Sequence, residues 1–233
     1  MVPSYAHALI VGAGPGLSAS LARLFSREGM TLTLAARTTD DLDDLCSETG
    51  ATARSCDVRS EADVDALFAG FGDDAPDVVV FNPSARARGP ITEVDPTAAK
   101  ETLLVSAYGG FLVAQAAARC MVPKGHGAIL LTGASASVKG YVHSAPFAMG
   151  KFALRGLAQS LARELHPKGI HVGHFIIDGG IRNPRRPERI EPADRPDSML
   201  DPDAIAASYL HFLKQDRSSW AWEIELRPWV ETF

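Results

Sequence analysis

The sequence predicts one doubly wound α/β domain, a seven-stranded parallel sheet with helices on both faces. Three observations carry this. Apolar, strand-like runs alternate with helix-patterned stretches along the whole chain. The first run, Ala8-Leu9-Ile10-Val11, breaks into Gly12-Ala13-Gly14-Pro15-Gly16 and then a helical pattern from Leu17 to Phe25. The length of 233 residues, 46% of them hydrophobic and 22% charged, suits a single unit with a large core. Residues 1–233 read as one domain, without internal repeat or linker.

Each element has a local reason. Ala8 to Val11 is a continuous apolar run, the pattern of a strand covered on both faces. Met30 to Ala36 reads as a second strand, closed by Arg37. Thr38-Thr39-Asp40-Asp41 starts a helix with acids in its first turn, where the helix dipole favours them. Thr52 to Cys56 is a short strand that ends at Asp57-Val58. Glu61 to Phe71 is amphipathic, with Ala62, Val64, Leu67 and Phe68 on the apolar side. Asp77 to Phe81 is an apolar strand running into Asn82-Pro83-Ser84-Ala85.

A long helix is expected from about Pro96 to Met121, then a strand over Gly127–Thr132. A second long helix covers Pro146–Leu165, and a sixth strand covers Ile170–Ile177, stopped by Asp178-Gly179-Gly180. A polar, proline-rich loop follows to about Leu200, so 178–200 is the expected substrate-side loop. Pro202 to Lys214 reads as helix with Asp201 as its N-cap. Trp220 to Leu226 alternates like a half-buried strand.

In such sheets ligands bind beyond the C-terminal strand ends. That gathers Gly12–Leu17, Arg37, Asp57-Val58, Asn82–Ala85, Thr132–Ser137 and Asp178–Asn183. Glycine permits the tight turn and lets a pyrophosphate approach with no Cβ in the way. The helix start then turns unpaired N–H groups towards the phosphate. Gly12, Gly14, Pro15, Gly16 and Leu17 are therefore candidate dinucleotide contacts. Gly12, Gly16 and Ser18 also fit the frame GxxxGxG, with serine in the last slot. That frame resembles the short-chain dehydrogenase/reductase family.

The resemblance covers the whole chain and implies a single-domain Rossmann fold. Asp57-Val58 matches the acid–apolar pair that holds the adenine in that family. DVVVFNPS, Asp77 to Ser84, resembles its DVLVNNAG segment, which makes Asn82 and Ser84 cofactor candidates. Phe111–Ala117 resembles its subunit-contact helix. Asp178-Gly179-Gly180-Ile181 resembles the turn after the sixth strand, with Asp178 in place of proline and Asn183 where threonine often sits. The nicotinamide would lie over Gly179–Ile181, and a homodimer or homotetramer is implied. Arg37 ends the second strand where no acid stands. An arginine pairs with a 2′-phosphate, whereas a carboxylate accepts ribose hydroxyls, so the expected cofactor is NADP(H), NADPH in its reduced form.

The family's chemistry needs a tyrosine four residues before a lysine, on one helix face. The phenol exchanges the substrate proton and the ammonium lowers its pKa. Here the frame reads Phe147-Ala148-Met149-Gly150-Lys151. The lysine is kept and the phenol is gone. The partner serine's place falls on Ala134, with Ser135 next to it, and the middle-helix asparagine falls on Ser106. Lys151, also expected on the ribose, and Ser135 are thus the candidates in an atypical catalytic set. Tyr141 and His143 are either displaced proton donors or, more plainly, loop residues.

Arg182, Arg185, Arg186, Arg189 and Arg195 are interleaved with Glu188, Glu191, Asp194 and Asp197. A solvated loop is the expectation, and binding of a carboxylate or phosphate the alternative. Arg86 and Arg88 read the same way. His171 and His174, three apart on a strand, face opposite sides and suggest no metal. Trp220, Trp222 and Trp229 read as core or subunit contact. Cys46, Cys56 and Cys120 lack zinc spacing and read as reduced, mostly buried thiols. A net charge of −5 argues against nucleic acid as a partner. No room for a signal peptide and no membrane-spanning apolar run are read, so a cytoplasmic setting is expected. The function expected is hydride transfer between NADP(H) and a carbonyl or activated alkene of a small molecule. The alternative is an NADP(H)-binding sensor or scaffold without turnover.

Overall fold

A computed structural model describes residues 4–183 and 185–231. The chain runs β1 (His7–Val11), α1 (Leu17–Arg27), β2 (Thr31–Ala36), α2 (Asp43–Thr49), β3 (Thr52–Ser55), α3 (Glu61–Ala69), β4 (Val78–Phe81) and α4 (Pro96–Leu103). It continues with α5 (Gly109–Met121), β5 (Gly127–Thr132), α6 (Ala145–Leu165), β6 (Ile170–Ile177), β7 (Gly180–Ile181), β8 (Met199–Leu200), α7 (Pro202–Leu213) and β9 (Glu223–Leu226).

Seven strands form one sheet in the order β3-β2-β1-β4-β5-β6-β9. Every pairing in it is parallel. The winding direction reverses between β1 and β4, which opens a crevice beyond their C-terminal ends. β1, β4, β5 and β6 are buried along their whole length, so most of their side chains are apolar, with His7, Thr132, His171 and His174 as buried polar exceptions. Alternate residues feed two cores. Leu9, Val79, Phe81, Ile129 and Leu131 face α3, α5 and α6. Ala8, Ile10, Val78, Val80 and Leu130 face α1 and α7. The Asp201 side chain caps α7 by accepting from the Asp203 N–H, as expected.

Several boundaries differ from the sequence reading. The helix after β2 starts with a tight turn at Asp40–Leu42, and α2 begins only at Asp43. The helix expected from Pro96 to Met121 is interrupted by a π-helical turn, Leu104–Tyr108, that joins α4 to α5. The last strand begins at Glu223, not Trp220. Trp220 stacks instead on His171, centroid to centroid 4.3 Å, on the α7 side of the sheet. The loop after β6 is not wholly irregular, because β7 and β8 pair within it. The thiols are not mostly buried: Cys56 is, whereas Cys46 and Cys120 are partly exposed, and all three are free. The expectation of no apolar stretch long enough to span a membrane fails on length and composition, because the helical run Pro96–Lys124 qualifies. Leu112, Val113, Ala116 and Ala117 of that run pack into the core.

β5 ends at a residue that serves both core and site. The Thr132 hydroxyl lies 2.9 Å from the buried hydroxyl of Tyr209 on α7. Tyr209 in turn stacks on Phe175, 3.6 Å between centroids. Tyr209→Phe leaves the packing and orphans the Thr132 hydroxyl. The expected loss is about 1–3 kcal/mol, read in thermal unfolding as a Tm fall of about 2–4 °C per kcal/mol for a chain of this size.

Candidate functional site

Two adjoining cavities open past the strand ends. The larger, about 580 Å³, is lined by Gly12, Gly14, Pro15, Gly16, Leu17, Arg37, Asp57, Val58, Asn82 and Ser84 among others. The smaller, about 250 Å³, is lined by Lys151, Phe147, Ala134, Gly179 and Ile181 among others. Gly16, Leu17, Asn82, Ser84, Asn183 and Arg186 belong to both walls, so the two adjoin.

The glycine turn is shaped by close approach. Gly12 has φ +79°, and a Cβ there would stand 2.7 Å from the Pro83 nitrogen. A Cβ on Gly14 would meet nothing within 4 Å, so open space lies above it. Asn82 donates 2.7 Å to the Ser18 hydroxyl, which donates 3.0 Å to the Gly12 carbonyl. Ser18 therefore locks the turn onto the end of β4, a role for the last slot of the frame that the sequence alone did not show. No side chain caps the start of α1. Its first N–H groups are left for a ligand, which suits a pyrophosphate.

Arg37 and Thr38 line the far end of the large cavity, and so does Asp41. The sequence reading found no acid at the end of β2; the turn that precedes α2 brings one in. Asp57 also lines this cavity, but Arg59 grips its carboxylate through Nε at 3.0 Å to both oxygens. That hydrogen-bonded guanidinium holds the Asp57 carboxyl below its ordinary value.

In the smaller cavity, α6 presents Phe147 and Lys151 on one face. Gly150 lets α6 close on the π-helical turn, because a Cβ there would lie 2.9 Å from the Cβ of buried Ser106. Lys151 is 2% exposed. Its Nζ donates 2.8 Å to the Thr132 carbonyl. Burial pushes the ammonium down to about 7, and the positive charge of Arg86 adds to the effect. The Arg86 guanidinium lies over the Phe147 ring, 4.1 Å from its centroid. Beneath the site, His174 is fully buried and its Nδ1 donates to Glu223 at 3.0 Å. Burial holds its imidazole down to about 4, so it is neutral near pH 7. His171 points to the other face of the sheet, as its spacing predicts, and stacks on Phe212.

Ser135 is a correction: it lines neither cavity, and Ala134 stands there instead. The chain enters a tight turn at Ser135–Ser137, in which the Ser135 carbonyl accepts from Val138 and Lys139. Tyr141 and His143 also line neither cavity, and Tyr141 is exposed beside Lys139. The loop after β6 is corrected in the other direction. Arg182, Arg186 and Arg189 face the smaller cavity rather than solvent alone. Asn183 donates to the Pro15 carbonyl and fastens this loop across the glycine turn. Its neighbour Pro184 lies outside the described residues.

The buried lysine fixes a pH dependence of stability in the free protein. An unfolded lysine binds a proton up to about pH 10.4, whereas folded Lys151 releases its proton near pH 7. The unfolded chain therefore holds more protons between these values, and stability rises with pH across that window. Urea unfolding at pH 7 and pH 9 should show a gain at the higher pH that Lys151→Met removes. An identical pH response in the variant would overturn the assignment.

A family model for short chain dehydrogenases matches residues 6–188. The short chain aldehyde dehydrogenase 1 of Euphorbia lathyris is 31% identical over 177 residues, 71% of this chain and 60% of that protein. A mitochondrial borneol dehydrogenase of Lavandula x intermedia is 30% identical over 169 residues, 71% of this chain and 65% of that one. The chain thus spans a little under two thirds of each of these relatives. A short-chain dehydrogenase structure from Rhodopseudomonas palustris superposes with a TM-score of 0.82 at 35% identity, covering 97% of this chain and 100% of that one. An actinorhodin polyketide ketoreductase with NADPH superposes with a TM-score of 0.87 at 22% identity, over 96% of each chain, which is a likeness of fold. A sheet that reverses at the glycine turn, with a lysine of α6 at its mouth, is thus matched by a family model over most of the sequence, and the chain belongs to the short-chain dehydrogenase family.

Proposed function

We propose that this protein is an NADP(H)-dependent oxidoreductase that moves hydride between the nicotinamide and a carbonyl or activated alkene of a small molecule. One observation carries the reading. The cavity above the open glycine turn adjoins the cavity that holds Lys151, and six residues, Gly16, Leu17, Asn82, Ser84, Asn183 and Arg186, line both. A dinucleotide stretched along it would put its pyrophosphate at the uncapped start of α1 and its nicotinamide over Gly179–Ile181. Arg37 would meet a 2′-phosphate, and Val58 would pack on the adenine.

The bound cofactor supplies or takes the hydride. The chain's own residues orient, exclude water and handle the proton. Lys151 would hold the nicotinamide ribose. It is also the lining group that changes protonation near neutrality, so its Nζ is the proton source in place of the absent phenol. Phe147 carries no exchangeable proton. That observation favours a second reading, an NADP(H)-binding sensor or scaffold without turnover. In either reading the protein works in the cytoplasm as a homodimer or homotetramer. Tyr108, Phe111, Met149 and Phe152, exposed along α5, α6 and the turn before α5, offer the apolar contact.

NADPH at about a hundredfold over its Kd should stabilise the fold by about 2.7 kcal/mol, read as a Tm rise of several degrees. NADH at the same concentration should give less, and Arg37→Gln should erase the difference. Equal shifts in the unaltered protein would remove the Arg37 argument, and a larger shift from NADH would move the ribose contact to Asp41 and the preference to NAD(H). Oxidation of NADPH against a panel of aldehydes, ketones and enones separates the two readings. Phe147→Tyr should raise carbonyl reduction at least tenfold, since a placed acid contributes about 10²–10⁴ in rate. No turnover in either form would leave the sensor reading.

A further inference from the structure

Five cationic side chains and no carboxylate line the smaller cavity: Arg86, Lys151, Arg182, Arg186 and Arg189. Most have an occupation. Lys151 donates to the Thr132 carbonyl and is already assigned the ribose and the proton. Arg182 is paired with Asp201 and lies 3.7 Å from Glu191. Arg186 lines both cavities and so stands within reach of cofactor phosphates. Arg86 and Arg189 are different. They line the smaller cavity and not the larger one. Among the described residues, no acidic side chain stands within ion-pair distance of either.

Both guanidiniums are held rather than trailing. The Arg86 guanidinium sits over Phe147, which is 6% exposed and therefore fixed. Desolvation against that ring lowers the Arg86 pKa, and repulsion from Arg88 and Arg189 lowers it further. Arg189 is packed against the backbone of β7, with Nη1 2.9 Å from where a Gly180 Cβ would stand. Two like charges that repel across one cavity are an arrangement an anion relieves. A guanidinium fork suits a planar carboxylate or a phosphate, which takes two N–H donors at once.

We propose that the smaller cavity recognises an oxyanion on its substrate, a carboxylate or a phosphate, through Arg86 and Arg189. Phe147 is the platform for Arg86. The ring that lacks a proton to give thus acquires a binding role. The word substrate rests on the nicotinamide reading above; the anion site itself does not.

The test uses protein saturated with NADP+, which gives no turnover with ketones. Acetoacetate is titrated against methyl acetoacetate, and dihydroxyacetone phosphate against dihydroxyacetone, by calorimetry. At least one anion should bind tenfold or more tighter than its neutral counterpart, with affinity falling as NaCl rises. A carboxylate that binds alone, or a phosphate that binds alone, names the source of the oxyanion. Arg189→Gln should weaken the anion tenfold or more and leave the Tm shift from NADP+ unchanged. Arg86→Gln should weaken it likewise, and Arg88→Gln should not. Equal binding of acids and neutral counterparts overturns the proposal. So does an Arg189→Gln protein with undiminished affinity, or anion binding that NADP+ abolishes, which would place the anion on the glycine turn. If the anions bind while NADP+ gives no Tm shift, the cofactor reading falls and the oxyanion site stands.

Discussion

A lysine ammonium buried on a carbonyl of the sheet sets the terms for the rest of this site. Lys151 sits where water cannot stabilise its charge, and among the described residues the Thr132 carbonyl is the one group it bonds. The other hydroxyl-bearing end of Thr132 is held by Tyr209 from the far side of the sheet. One residue thus couples α6 to α7 through the end of β5. The closeness of α6 depends in turn on Gly150 against Ser106, and on the π-helical turn that offers Ser106 there. A backbone carbonyl, a missing Cβ and a wide helical turn together keep an ionisable amine in a dry place. Its tendency to lose the proton near neutrality follows from that burial.

The neighbouring ring takes its meaning from the same field. A phenol beside Lys151 would be an acid tuned by an ammonium. A phenyl group there cannot titrate, but its π face attracts a cation, and Arg86 occupies it. The added positive charge bears on Lys151 as well. At this position the ring holds a cation and has no exchangeable proton.

Much of this was legible in the residues. β5 and β6 fall where apolar runs between glycines put them, because strands buried on both faces leave an unambiguous signature. The glycine turn was readable from its setting between strand and helix. The cofactor-side candidates all line the cavities, since strand ends fix them. What was not legible depends on contacts between distant segments. Ser135 looked adjacent to the right place, yet a tight turn carries it away and leaves Ala134. The loop arginines looked solvated because acids alternate with them in sequence. In space Asp201 and Glu191 take Arg182, and Arg189 is left facing inward. Trp220 looked like strand because alternation cannot see that His171 offers it a stacking surface.

The bond from Asn183 to the Pro15 carbonyl ties two distant segments together. It straps the loop after β6 to the roof of the glycine turn, at the seam where the two chambers meet. A dinucleotide and a substrate placed as proposed would share this seam, so loosening the loop after β6 would open the way for both.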